Sequence, residues 1–200
     1  FLQKVQKPTD VASLVIFRIV FGLLMFFEII RYFQIGWGKD VYAKPDFHFQ
    51  YEWFSWLIPL PEEAMYLLFG ILGISSIMIA AGLFYRLSSI IFFLGYTYLF
   101  LLEKTTYNNH YYLICLLSFL VVLAPLHKSW SLDVLRGSVK HIDSLPALWL
   151  WLFRFKMGLV YFYGGIAKLD PDWLDGRVAG KLMDAANRGT ILETLLIYDW

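Results

Sequence analysis

The chain has 200 residues, 59% hydrophobic, 20% aromatic and only 16% charged, with a mean hydropathy of +0.58. A soluble domain carries about 25% charged residues, so the polar side chains here are too few to cover a folded surface in water, and lipid has to cover part of it. A net charge of +1, from 17 Lys and Arg against 16 Asp and Glu, excludes the single-sign field of a nucleic-acid binder, and a lone cysteine, Cys115, excludes an intramolecular disulfide or a cysteine-rich metal site.

Apolar runs matched to a bilayer core of roughly 30 Å predict an all-α, polytopic membrane bundle with five spans. The first covers about residues 11–30, and Thr9 or Asp10 suits its N-cap. Its length and the presence of Arg18 and Glu28 argue against a cleaved signal peptide. A polar and aromatic loop follows over 31–63, closing on Pro59-Leu-Pro61-Glu-Glu63, a helix-start signal with acidic residues at the favoured end of the dipole. Spans two (64–84) and three (87–102) are separated only by Tyr85-Arg86, which predicts a tight helical hairpin. The turn 103–110 leads into span four (111–126), a polar loop covers 127–144, and span five runs over 146–167. Beyond it the composition is mixed, with a helix expected from Pro171. No internal repeat or low-complexity segment is present.

Five spans put the first loop, the 103–110 turn and the tail on one membrane face, and the N-terminus, Arg86 and the 127–144 loop on the other. Six basic residues on the second face (Lys4, Lys7, Arg86, Lys128, Arg136, Lys140) against four in the first loop and turn (Arg31, Lys39, Lys44, Lys104) favour a cytoplasmic N-terminus. Counting the tail (Lys168, Arg177, Lys181, Arg188) reverses the bias, so orientation stays open.

Charges inside spans are expensive. For Arg18 and Glu28 the structural reading is that each snorkels or pairs with a neighbouring helix, and Arg154 and Lys156 in span five are read as snorkelling toward the 127–144 loop. Two polar clusters carry more chemistry. In Lys104-Thr-Thr-Tyr107-Asn108-Asn109-His110, Asn108 suits a helix cap, but a second amide and an imidazole just inside a helix start also suit proton transfer or hydrogen bonding to a reacting group. In Tyr161-Phe-Tyr163-Gly164-Gly165-Ile-Ala-Lys168-Leu-Asp170-Pro171-Asp172-Trp173, the paired glycines suit close backbone approach, Asp170-Pro171 reads as N-cap and N1, and Lys168 lies between an apolar span and a helix start. There Lys168 is either an interfacial anchor or, if desolvated into its neutral form, a general base, with Asp170 and Asp172 opposing that shift if they face it. Span parity puts Lys168 on the same face as Asn109 and His110, under the aromatic first loop. The four histidines, His48, His110, His127 and His141, are scattered without zinc-type spacing, so no metal is expected.

At these residues the chain resembles the vitamin K-dependent γ-glutamyl carboxylases and their membrane-domain relatives, bacterial-type ones included. The likeness rests on Pro8-Thr-Asp10, Phe17-Arg18, Phe21-Gly22, Gly82-Leu-Phe-Tyr85-Arg86, Leu101-Leu-Glu-Lys104-Thr, Asn108-Asn109-His110 and Lys168-Leu-Asp170-Pro-Asp172-Trp173, in that order over almost the whole chain. The resemblance implies a multi-pass membrane enzyme, of the bacterial inner membrane or the endoplasmic reticulum. It would oxidise vitamin K hydroquinone, or a related quinol, with O₂ to the epoxide and add CO₂ to a substrate glutamate. It implies Lys168 as the base that deprotonates the quinol, Asn109 and His110 at the reaction centre, and neither metal nor ATP. Asn108, Tyr163 and Trp173 are the accompanying candidates for substrate contact. The implied partners are membrane lipids and a glutamate-containing protein or peptide, with no nucleic acid. Family members continue well past residue 200. Residues 1–200 are therefore expected to be the N-terminal portion of such a transmembrane domain, incomplete at the C-terminus, with the remainder of that domain as a further partner. Two alternatives remain at this point: a quinol-oxidising relative without a protein substrate, and a non-catalytic quinone- or lipid-binding module.

Overall fold

The computed structural model describes residues 6–178, 180 and 181. Lys4 and Arg188 of the charge count, and the chain's end at Trp200, lie outside them. The chain divides into two compact units, Phe1–Leu150 and Trp151–Trp200.

In chain order the elements are β1 (Pro8–Asp10), α1 (Ala12–Gln34), α2 (Glu62–Ala81), α3 (Tyr85–Leu102), α4 (Asn109–Leu123), α5 (Leu132–Leu135), β2 (Ser144–Pro146), α6 (Ala147–Ala167) and α7 (Pro171–Leu174). A π-helical turn, Gly38–Ala43, and three 3₁₀ turns, Glu52–Phe54, Lys104–Thr106 and Leu126–Lys128, lie in the connections. Helices thus stand at all five expected places. Among the described residues α1, α2 and α3 are long and apolar enough to cross a membrane. At 15 residues α4 is shorter, since a crossing needs about 20. The 21-residue α6 is diluted by Arg154, Lys156 and its Trp and Tyr residues. Arg154 lies over the Trp151 ring at 5.7 Å.

The first three helices are apolar all round, as a lipid-exposed helix must be. Phe21, Ile29, Phe69, Leu72, Phe92 and Leu99 are buried between helices, while Phe27, Leu67, Ile74 and Leu94 are each at least 60% exposed. Beside Arg18 and the tyrosines, the inner faces carry serines. Ser76, Ser89 and Ser118 donate to carbonyls of their own helices, at Gly73, Arg86 and Cys115, which satisfies the hydroxyls without water.

Close approach of α1 and α2 depends on Gly22. A Cβ there would lie 2.5 Å from the Ser76 carbonyl oxygen and 2.6 Å from the Ala80 nitrogen, both backbone atoms of the facing helix. Gly22→Ala is therefore expected to push the helices apart at a cost of about 1–3 kcal/mol. The check is the thermal unfolding midpoint in detergent micelles, where an unchanged value would contradict this packing.

The hairpin turn lies at Gly82–Phe84 rather than at Tyr85-Arg86, which belong to α3. Gly82 ends α2 at φ +67°, with the N–H groups of Gly82 and Leu83 bonded to the carbonyls of Ile79 and Met78. The cap of α3 comes from a distant segment. The Asp133 carboxylate accepts from the Phe84 and Tyr85 N–H groups at 2.9 and 3.0 Å and also holds Arg136 at 2.9 Å. A second unexpected feature is the antiparallel pairing of β1 with β2, Thr9 opposite Leu145. It fastens the segment before α1 to the segment before α6. Asp10 caps the first N–H of α1 at 2.6 Å.

Arg18 does not snorkel, and among the described residues it forms no ion pair with an acidic partner. Fully buried, it donates to the carbonyls of Leu126 (2.9 Å), Ser129 (3.2 Å) and Trp130 (2.6 Å). Glu28 pairs within its own helix, bidentate with Arg31 at 2.7 and 3.0 Å. Near the Arg18 carbonyls, Tyr85 donates to the Val121 carbonyl at 2.6 Å and stacks on His127 with centroids 4.7 Å apart. Burial first, and then the nearby Arg86, push His127 down to about 4. The unfolded chain takes up that proton near its ordinary value of about 6.5, the folded chain only near 4. Stability is therefore complete above pH 6.5 and falls as pH drops toward 4, by about 3 kcal/mol in all. His127→Phe is expected to flatten this part of the stability profile between pH 7.5 and 4.5; a slope equal to that of the unaltered protein would refute the assignment.

Candidate functional site

The 103–110 turn is built around Glu103, which closes α3 in an extended conformation. One carboxylate oxygen accepts from the backbone N–H and hydroxyl of Thr105, at 3.0 and 2.7 Å. The other meets His48 Nδ1 at 3.1 Å and the Phe49 N–H at 3.3 Å. Lys104 N–H adds a bond to the Phe49 carbonyl at 2.7 Å. Burial alone would raise the Glu103 pKa, but the donors from Thr105, His48 and Phe49 outweigh it and hold the carboxyl below its ordinary value. The first loop is thereby latched onto the turn. Further contacts tie the same surfaces together: Tyr51 stacks on Phe100 at 5.5 Å, and Tyr98 donates to the Ile58 carbonyl at 2.7 Å.

Asn108 caps α4, as its position before the helix start suggests. Its Oδ1 accepts from the His110 backbone N–H at 2.9 Å and contacts His110 Nδ1 at 2.8 Å. The backbone donor fixes which amide atom faces the helix. Because that atom is an acceptor, Nδ1 must carry the proton, and the lone pair of the neutral imidazole falls on Nε2. Asn109 opens the helix, with Oδ1 accepting from the Tyr107 hydroxyl at 3.1 Å. Both Asn109 and His110 are exposed at an N-terminal helix turn, where the dipole favours negative charge.

The next residue, Tyr111, is anchored through its hydroxyl, which Arg31 reaches at 2.8 Å. Behind it stands an aromatic wall. Tyr32 and Trp37 stack at 4.6 Å, and Tyr111 meets both edge-on at 6.3 and 5.7 Å. Arg31 lies 5.5 Å above Tyr32 and 5.8 Å above Trp37. These rings, with Tyr42 and Tyr96, enclose a space of about 10 Å³, roughly enough for one water.

In the unit Trp151–Trp200, α6 ends at Ala167 and Lys168 follows, its N–H bonded to the Gly165 carbonyl at 3.1 Å. Asp170 caps α7 through the Asp172 N–H at 2.9 Å, with Pro171 in the first turn, as the sequence predicts. Lys168 Nζ lies 5.4 Å from the Trp173 ring centroid, a cation–π distance. Asp172 pairs instead with Arg177 at 3.0 Å, so among the described residues neither acidic neighbour forms an ion pair with Lys168. Within this unit Lys168 and Tyr163 are exposed. Among the described residues of this unit, nothing lies within 4 Å of a Cβ placed at Gly164 or Gly165.

Of the six candidates, Asn108, Asn109 and His110 share one helix start, and Lys168 and Trp173 touch each other, with Tyr163 on the last turns of α6. The His48–Glu103 latch and the Arg31–Tyr111 anchor carry no sequence signal, because their partners lie 55 and 80 residues apart. The HTTM domain matches the chain over residues 6–198. No solved structure matches it.

Proposed function

The chain belongs to the HTTM family, the membrane domain of vitamin K-dependent γ-glutamyl carboxylase and its relatives, and from that premise we propose that it contributes the quinol-oxidising centre of a γ-glutamyl carboxylase. In this reading Lys168 takes a proton from a hydroxyl of vitamin K hydroquinone or a related quinol. O₂ oxidises the quinolate to the epoxide, and the strong base formed on the way removes a γ-proton from a substrate glutamate. CO₂ adds to the carbanion. Quinol, O₂, CO₂ and glutamate thus give epoxide, carboxylated glutamate and water. Asn109 donates a hydrogen bond to the developing oxyanion, and His110 steadies negative charge or accepts a proton at Nε2. Asn108, Tyr163 and Trp173 contact the substrates.

The observation that carries the reading is the oriented imidazole: Asn108 fixes the His110 tautomer at the start of a helix, within a domain match that covers nearly the whole chain. A lipid-soluble quinol suits a site at the end of membrane helices, and exclusion of water protects a strong base. The proposal includes a five-pass topology, membrane lipids and a glutamyl protein or peptide as partners, and the remainder of the domain where it exists as a separate segment.

One assay tests it. The complete protein in lipid is given quinol, O₂, labelled CO₂ and a glutamyl peptide. Epoxide together with labelled peptide is the expected result. Epoxide without label would make this a quinol-oxidising relative with no protein substrate, and quinol returned unchanged would remove the catalytic reading.

A further inference from the structure

Within Phe1–Leu150, at the end of α1 and α2 that meets the 126–144 segment, an open cleft of about 660 Å³ lies between the two helices. Its size is in the range of small-molecule sites, about 300–1,000 Å³. The walls are apolar: Ile19 and Leu23 come from α1, and Ile77 and Ala81 from α2. Ala81 leaves space that a larger side chain would fill. Trp130 and Leu135, 72% and 81% exposed, form an apolar rim.

Two independent observations give the cleft a sign. Arg18 lines the cleft with its side chain fully buried, the guanidinium bonded to carbonyls and with no carboxylate in ion-pair distance among the described residues. A buried cation without a counter-ion favours an anion nearby, because the low dielectric screens it little. The segment at the mouth is also basic. It carries Lys128, Arg136, Lys140 and the cleft-lining His141, while Asp133 is buried and already bonded to Arg136 and two backbone N–H groups. Among the described residues Asp143, 3.6 Å from His141, and Asp10 on β1 stand against them at the surface.

We infer that this cleft is a binding site for an anionic phospholipid, one acyl chain lying along the α1–α2 wall and the phosphate at the rim beside Lys140 and His141. None of the residues proposed for quinol chemistry lines the cleft, so either assignment stands or falls without the other.

The test reconstitutes the complete protein in vesicles of equal parts phosphatidylglycerol and phosphatidylcholine, extracts it in mild detergent and counts retained lipid by native mass spectrometry. The unaltered protein is expected to keep about one phosphatidylglycerol per chain, and Ala81→Phe and Ile77→Trp, which fill the cleft from two positions, to lower that retention about tenfold. Lys140→Glu is expected to remove the preference for phosphatidylglycerol while leaving the helical content unchanged. Gel filtration and far-UV circular dichroism establish that each variant is folded, and two filling positions guard against the loss of one. Equal retention of both lipids by the unaltered protein, or undiminished retention in a folded filling variant, would mean ordinary boundary lipid and overturn the site. Stoichiometric displacement of the retained lipid by added quinol would overturn it in favour of a quinol cleft.

Discussion

Lys168→Ala is expected to lower epoxide formation by the complete protein about 10²–10⁴-fold, the usual contribution of a positioned general base. The substitution removes the amine that stands after α6 against the Trp173 ring and leaves the Asp170 cap of α7 intact, since that cap uses only the Asp170 carboxylate and the Asp172 N–H. Folding and quinol binding should therefore persist. Lys168→Arg should not rescue the rate, because a guanidinium stays protonated and cannot act as a base, although it keeps the charge and the ring contact. That contrast separates chemistry from anchoring: an interfacial anchor would be restored by Arg, a base would not. Normal epoxidation by the alanine variant would remove Lys168 from the mechanism.

The second large effect is on stability. Arg18→Leu should cost about 3–5 kcal/mol, because two buried carbonyls and a part-buried one lose their donor together. These carbonyls, on Leu126, Ser129 and Trp130, belong to the connection after α4. That connection also supplies Asp133, the cap of α3. Loss of Arg18 should thus loosen the 126–133 segment and the hairpin turn at once. Arg18→Lys should recover only part of the loss, since a single ammonium point replaces a planar fork spread over three acceptors. Thermal unfolding in detergent measures both variants, and an Arg18→Leu midpoint matching the parent would show that the carbonyls find other donors. Gly82 sits against the same guanidinium. A Cβ there would lie 2.9 Å from Arg18 Nη1 and 2.4 Å from the Ser131 Cβ, so this corner leaves no room for repacking.

The parts of the fold that were legible in the sequence are those whose cause is local. Apolar runs of helical length marked α1, α2, α3, α4 and α6 because burial and lipid exposure act on each run separately. The caps at Asn108 and Asp170 were legible because a short side chain bonds an N–H two residues on. The hairpin turn lies a few residues before the place the apolar runs predict. Gly82 can adopt a left-handed conformation and end α2, but what allows α3 to begin at Tyr85 is Asp133, 48 residues away.

The same division runs through the candidate site. Sequence determined that Asn108, Asn109 and His110 open one helix and that Lys168 precedes the Asp170-Pro171 start of another, since both follow from neighbours along the chain. It also determined that the chain is built for lipid, because composition alone sets how much apolar surface must stay covered. Tertiary structure alone decided that Glu103 latches the first loop through His48, that Arg31 anchors Tyr111, and that Arg18 answers carbonyls rather than a carboxylate. Those pairings are chosen by which buried donors and acceptors meet once the helices pack. Unpaired polar groups are costly away from water, but that cost names no partner until the packing has brought one within reach.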